Sequence, residues 1–346
     1  MPDSMSERNP ESKVILAAGA RKAGVVLALF VATFVLVRAV HQHYPLQHWL
    51  FWRYAAYWLA AGLWSLACLA LGHLTLSRIP GLHLGFFERL AIALALGVFE
   101  FQLLLFITGV AQLYGSILFF ALPLGMLAAG APGLVRYLLR AWRLMRARRV
   151  WQANPGPLLW LLFGFGVISL LAVYLPTMLA DNSSFDSRWR HMMMAEQYVV
   201  HGGIRPFREG WIFGTGPQFS ALLYAWPYML PFGRLFDRIE LCAHLEYLLF
   251  LWTTLVGLPA LVRRMIPRAN PAAVWVARFL FPGVLLYDSS LSVGADHLGA
   301  VFAAPLFLLC LKAWRGMNPW IGALLGAFVA AALCSKESSA LLLATG

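Results

Sequence analysis

Long apolar runs separated by short polar stretches dominate the chain. They fall at 23–40, 54–77, 90–111, 115–135, 157–180, 241–262, 272–287, 297–314 and 320–334, and a further run starts at Ser338. A spanning helix rises about 1.5 Å per residue across about 30 Å of hydrocarbon and so consumes about 20 apolar residues. The pattern predicts an all-α polytopic integral membrane protein with about ten transmembrane helices. The run at 219–231 is shorter and contains Pro227 and Pro231. It reads as an interfacial or re-entrant segment, not as a span.

The polar stretches set the threading. Arg136, Arg140, Arg143, Arg146, Arg148 and Arg149 follow one another with no acid among them, which places this stretch in the cytoplasm by the positive-inside rule. Counting spans from there puts 181–218 outside, Arg263, Arg264 and Arg268 inside, 288–296 outside, and Lys312 with Arg315 inside. Every basic turn then lies on one side. A full crossing at 219–231 would have put the arginine triplet outside, against the rule.

This threading predicts a cytoplasmic tail at 1–22, an accessory four-helix module at 23–138, a basic cytoplasmic loop at 139–156 and a second transmembrane module at 157–346. The stretch Leu341 to Gly346 ends inside an apolar run, which reads as a cut before the last helices.

Composition agrees and narrows the classes. The chain of 346 residues is 61% hydrophobic and 12% charged, against about a quarter charged in soluble domains, which excludes a soluble monomer. The net charge of +12 follows from basic loops that fix orientation, and it does not call for a nucleic-acid partner. Cys68, Cys242, Cys310 and Cys334 lie within apolar runs without metal-ligand spacing, so neither a disulfide framework nor a zinc site is indicated. The HQHYPLQH stretch, with His41, His43 and His48, lacks a neighbouring acid or cysteine to complete a ligand set.

Acidic residues concentrate in the second half. Nine of the fifteen lie between Asp181 and Asp296, and only Glu88 and Glu100 fall between residues 12 and 180. The exterior stretch 181–218 combines Asp181, Asp186, Arg188, Arg190, His191, Glu196, His201, Arg205, Arg208 and Glu209 with Trp189 and Trp211. Met192, Ala195, Tyr198 and Val199 recur at helical spacing, so residues 186–200 are expected to form a helix along the membrane surface. Asp186 and Arg190, four apart, then share a face, with His191 close to it. Glu100 reads either as part of a polar path or as a hydrogen-bonded packing residue, and Arg278, inside a predicted span, requires a partner such as Glu246.

The pattern Asp186, Ser187 and His191, written D-S-x-x-x-H, followed by Gly202, Gly203 and Ile204, resembles the first external loop of GT-C membrane glycosyltransferases, the superfamily of protein O-mannosyltransferases and lipid A aminoarabinose transferases (glycosyltransferase family 39/83-like). The resemblance continues over roughly 157–346. A short apolar piece at 219–231 is followed by a span ending at Arg264, then by Asp296 within SVGADHLGAVF, and then by a span broken at Ser335, Lys336 and Glu337. Ser187 stands where many members have Glu, and Arg190 stands where an aromatic often precedes the His.

The resemblance implies a GT-C-like fold whose external loop carries juxtamembrane helices. It also implies transfer of a sugar, with inversion, from a polyprenyl-phosphate donor to a lipid, protein or polysaccharide acceptor at the outer face, in the service of the cell envelope. A bacterial inner membrane, with the site facing the periplasm or exterior, goes with it. Asp186 is the expected general base. Arg188, Arg190, His191, Lys336 and Asp296 are expected at the donor phosphate or orienting it, and Asp181, Arg205, Arg208 and Glu196 are weaker candidates. No cofactor motif is present; a divalent metal is compatible with the chemistry but not indicated.

Two other classes stay open. One is a transporter or flippase with Glu100, Glu246 and Arg278 along its path. The other is a catalytically silent assembly subunit of the same fold.

Overall fold

The computed structural model describes residues 10–45, 49–147, 156–175, 187–208, 219–231, 237–269 and 293–336, together with Gly214 and Val274. Every regular element among them is helical: α1 (Pro10–His43), α2 (Leu50–Ser77), α3 (Phe86–Val110), α4 (Ser116–Ala147), α5 (Pro157–Tyr174), α6 (Met193–His201), α7 (Phe219–Met229), α8 (Arg238–Met265), α9 (Asp296–Ala313) and α10 (Pro319–Ser335). A π-helical turn at Ser187–Met192 leads into α6, and a second one at Thr253–Gly257 interrupts α8.

Among the described residues, seven helices are long and apolar enough to cross a membrane: α1 from Gly24, α2, α3, α4 to Leu144, α5, α8 and α9. The run at 320–334 forms α10, an apolar helix of 17 residues. The runs at 272–287, apart from Val274, and beyond Ser338 lie outside the described residues. The described chain is thus all-helical, with seven helices long and apolar enough to span a membrane where about ten were expected. Exposed apolar side chains such as Leu161 at 70% and Ile117 at 87% are what a lipid-facing surface presents.

The chain divides into two compact units, Met1–Ala55 and Ala56–Gly346. The first holds α1, whose apolar window is unburied within the structure. The second holds α2 from Ala56 onward and the helices after it, and in it α3 packs against α7, α8, α9 and α10.

Small residues allow the close helix crossings. A Cβ placed on Gly97 of α3 would lie 1.7 Å from the Cys68 carbonyl oxygen of α2, one on Gly72 would lie 1.9 Å from that of Ala93, and one on Gly130 of α4 would lie 2.2 Å from that of Ala70. Lipid tails are as apolar as the side chains, so helices in a bilayer associate through such tight backbone approach.

Contacts between helix ends test the threading. At the basic end, Arg264 meets Glu88 at 3.7 Å, and Lys312 Nζ donates to the His83 carbonyl at 2.6 Å. At the opposite end the turn after α3 meets the turn after α6: Tyr114 N–H donates to Gly202 O and Ile204 N–H to Gly109 O, each at 2.9 Å. Helix α7, with 11 residues, is only about 16 Å long. Had it crossed, Arg264 and Glu88 would lie on opposite faces of a bilayer about 30 Å thick. At 11 residues α7 lacks the length of a span, as the non-spanning reading of 219–231 expects.

Gly97→Val should lose much of its folded yield or fall in unfolding temperature, by about 1–3 kcal/mol or more of overpacking. Gly62→Ala, where a Cβ meets nothing within 4 Å, should unfold at or above the parent temperature. Thermal unfolding of both variants in detergent checks this.

Candidate functional site

Helix α7 organises the site. Its residues Phe219 to Trp226 are all at most 7% exposed, as expected of a helix that is apolar all round. The few polar groups on and around it find protein partners. Gln102 Nε2 of α3 donates to the Phe219 carbonyl at 3.1 Å, and Trp226 Nε1 donates to the Phe119 carbonyl at 2.9 Å.

Ser220 and Tyr224, four residues apart on α7, share one face. Ser220 Oγ lies 2.8 Å from Nδ1 of His191, which is buried in the π-helical turn. The His191 ring also meets the Tyr224 ring edge-on, with centroids 6.4 Å apart. The Tyr224 hydroxyl has two acceptors for its single proton, a carboxyl oxygen of Glu246 on α8 and the carbonyl of Gly294 just before α9. Glu246 is fully buried, and its other oxygen has no hydrogen-bond partner among the described residues.

Two residues past Gly294, Asp296 opens α9. It forms an ion pair with Lys336, which follows the last residue of α10 in extended conformation. Both side chains are partly exposed, Asp296 at 44% and Lys336 at 34%, so the pair is accessible at the end of the buried polar row. An ion pair this exposed contributes little to stability.

A separate aromatic cluster stands beside this row. Trp58 Nε1 donates to the Tyr174 hydroxyl at 2.9 Å, and that oxygen lies 2.8 Å from His244 Nε2. His244 Nδ1 faces the Glu240 carbonyl at 2.6 Å. A ring nitrogen opposite a carbonyl must carry the proton, so the neutral ring accepts at Nε2 from Tyr174.

Of the residues singled out from sequence, His191, Asp296 and Lys336 are linked through α7, Glu246 and the Gly294 backbone. Arg188, Glu196 and Arg208 are exposed, and Arg190 is half-buried. Arg205 donates to Gln197 Oε1 at 3.1 Å and lies over the Phe207 ring. The expected surface helix at 186–200 is a π-helical turn and α6, with Met194, Ala195 and Tyr198 packed into the core. Asp181, Asp186, Arg278 and Glu337 lie outside the described residues. Ser187, next in the chain after Asp186, is 1% exposed.

Glu100 accepts a hydrogen bond from Thr75 Oγ1 at 2.6 Å, and its other carboxyl oxygen is buried without a hydrogen-bond partner among the described residues. Ser220 and Tyr224 are additions that sequence reading missed. Their signal was two hydroxyls at helical spacing in a run otherwise read only for its shortness.

Gly202, in the left-handed region at φ 73°, caps α6. A Cβ on Gly203 would lie 2.5 Å from the Gly109 carbonyl oxygen, so the glycine pair lets α6 dock on the end of α3. Among the described residues no three His, Cys, Asp or Glu side chains converge as a metal-ligand group. No family model matches the chain, and neither a curated protein nor a solved structure does.

Tyr224→Phe removes a donor from a buried carboxyl and should destabilise the protein by about 1–3 kcal/mol. Combined with Glu246→Gln the losses should be less than additive, as for two residues in direct contact. A double-mutant cycle of unfolding in detergent measures that coupling.

Proposed function

We propose that the chain is a GT-C-type glycosyltransferase that takes a sugar from a polyprenyl-phosphate donor. One observation carries this reading. The polar stations that carry the resemblance, His191 in the loop, the short helix α7, the start of α9 at Asp296 and the chain break at Lys336, lie along a single row of contacts in an otherwise apolar bundle. Burial of polar groups is costly unless they are paired, and polar rows inside membrane bundles are functional sites by default.

In this reading the hydroxyl or amine of the acceptor attacks the anomeric carbon and its proton passes to the Asp186 carboxylate. The bond from the anomeric carbon to phosphate oxygen breaks, and the lipid phosphate leaves with the electron pair. Attack opposite that phosphate inverts the anomeric centre. Lys336, held by Asp296, neutralises charge on the leaving phosphate. Arg190 and His191 supply further donors from the turn that follows Asp186.

The site then faces the end of the bundle remote from the arginine-rich turns. Under the positive-inside rule that end is the outer face, which in a bacterial inner membrane is the periplasmic one.

The test is release of lipid phosphate from a panel of polyprenyl-phosphate sugars by purified protein supplied with acceptor extracts. Asp186→Asn should lower the rate by about 100-fold or more, and Lys336→Met should lower it by about 100-fold, both at parental unfolding temperature. Equal turnover by parent and Asp186→Asn would move the base to Asp181 or Asp296. If no donor is consumed, the transporter or silent-subunit reading replaces this one.

A further inference from the structure

A second polar recess lies at the basic end of the bundle, away from the α7 row. It has a volume of about 380 Å³ and is lined by His73 of α2, Arg89 of α3, and Gly133, Arg136, Tyr137 and Arg140 of α4. Three guanidinium groups surround it, and among the described residues no carboxylate lines it. The nearest acid in sequence, Glu88, is engaged elsewhere: it accepts from the Gly85 N–H at 2.8 Å and pairs with Arg264.

The recess has a fixed inner wall. Arg89 Nε donates to Nδ1 of the buried His73 at 3.5 Å, and the Arg89 guanidinium lies 5.2 Å from the centroid of the Tyr137 ring. Arg136 Nε donates to the Pro132 carbonyl at 3.0 Å, one turn back along α4, which leaves its terminal nitrogens for another acceptor. Arg140 is exposed at the rim.

The position of the recess is interfacial. Arg136, Arg140 and Arg143 recur at helical spacing on α4, and the exposed Val135, Leu139 and Trp142 form the neighbouring stripe. An apolar stripe beside a basic one is what a helix presents at the headgroup level of a bilayer. Orientation by the positive-inside rule explains basic residues in this turn. It does not explain why two of them converge with Arg89 of α3 on a hollow with a buried histidine at its floor.

We propose that this recess binds a phosphate group. Guanidinium forks match phosphate oxygens in pairs, and basic pockets between helices at the cytoplasmic surface suit anionic headgroups. The group is either the headgroup of an anionic lipid or a soluble phosphate compound. The site is independent of the proposed glycosyl transfer, because none of its residues touches the α7 row.

The experiment measures saturable binding to the purified full-length chain in neutral detergent with two probes. One is inorganic phosphate titrated against chloride at constant ionic strength. The other is phosphatidic acid in mixed micelles, against phosphatidylcholine. Binding of at least one probe is expected, weakened about 10-fold or more in Arg136→Gln/Arg140→Gln, since each charge-assisted contact is worth about 1.5–3 kcal/mol. Arg143→Gln/Arg146→Gln, which removes the same charge outside the recess, should bind within about 2-fold of the parent.

Saturation by inorganic phosphate assigns a soluble ligand, and saturation by phosphatidic acid alone assigns a lipid. No saturable binding of either, or equal weakening in both double variants, overturns the proposal. If the Gln pair does not fold, Arg136→Lys/Arg140→Lys replaces it. That pair keeps the charge and loses the forks, and should still bind more weakly than the parent.

Discussion

An eleven-residue helix buried on every face imposes the strictest condition in this protein. Helix α7 is too short to cross a bilayer and has no lipid-facing side, so each polar group on it has to be met by protein. Meeting them ties together four other parts of the chain: α3 through Gln102, the start of α4 through the Phe119 carbonyl, the π-helical turn through His191, and α8 through Glu246. The long helices are arranged around those bonds.

The same condition concentrates polarity in one place. His191, Ser220, Tyr224 and Glu246 are buried, and the row ends at the accessible Asp296 and Lys336. A gradient from enclosed hydrogen bonds to a half-exposed ion pair suits a site that admits a charged headgroup at its mouth and keeps its inner wall rigid. The recess at the other end of the bundle is built differently. It has an excess of one charge sign along its lining, so it suits a ligand that brings the opposite charge.

Apolar length and the distribution of arginines were legible along the chain, because a bilayer reads only those two properties. The contact of Arg264 with Glu88 agrees with the threading counted from the basic turns, including the choice to keep 219–231 from crossing. The helical reading of 186–200 was right in type, and the structure adds what its apolar face meets. Its apolar positions face α7, because Gly202 and Gly203 dock α6 onto the end of α3. Tyr224 was illegible for a related reason: a tyrosine in an apolar run gives no sign of a partner twenty-two residues away.

The sequence by itself determined the class of protein, the places of its apolar helices and the expected side of its basic turns. Each follows from local composition set against a solvent of known thickness and charge asymmetry. Tertiary structure decided which polar residues meet. The partners of Tyr224, the ion pair across forty residues between Asp296 and Lys336, and the convergence of Arg89, Arg136 and Arg140 on His73 all depend on how helices cross. The crossings of α2 with α3 and α4, behind the last of these, are set by backbone approach at Gly72, Gly97 and Gly130, and a glycine in a linear sequence does not say which neighbour will come close.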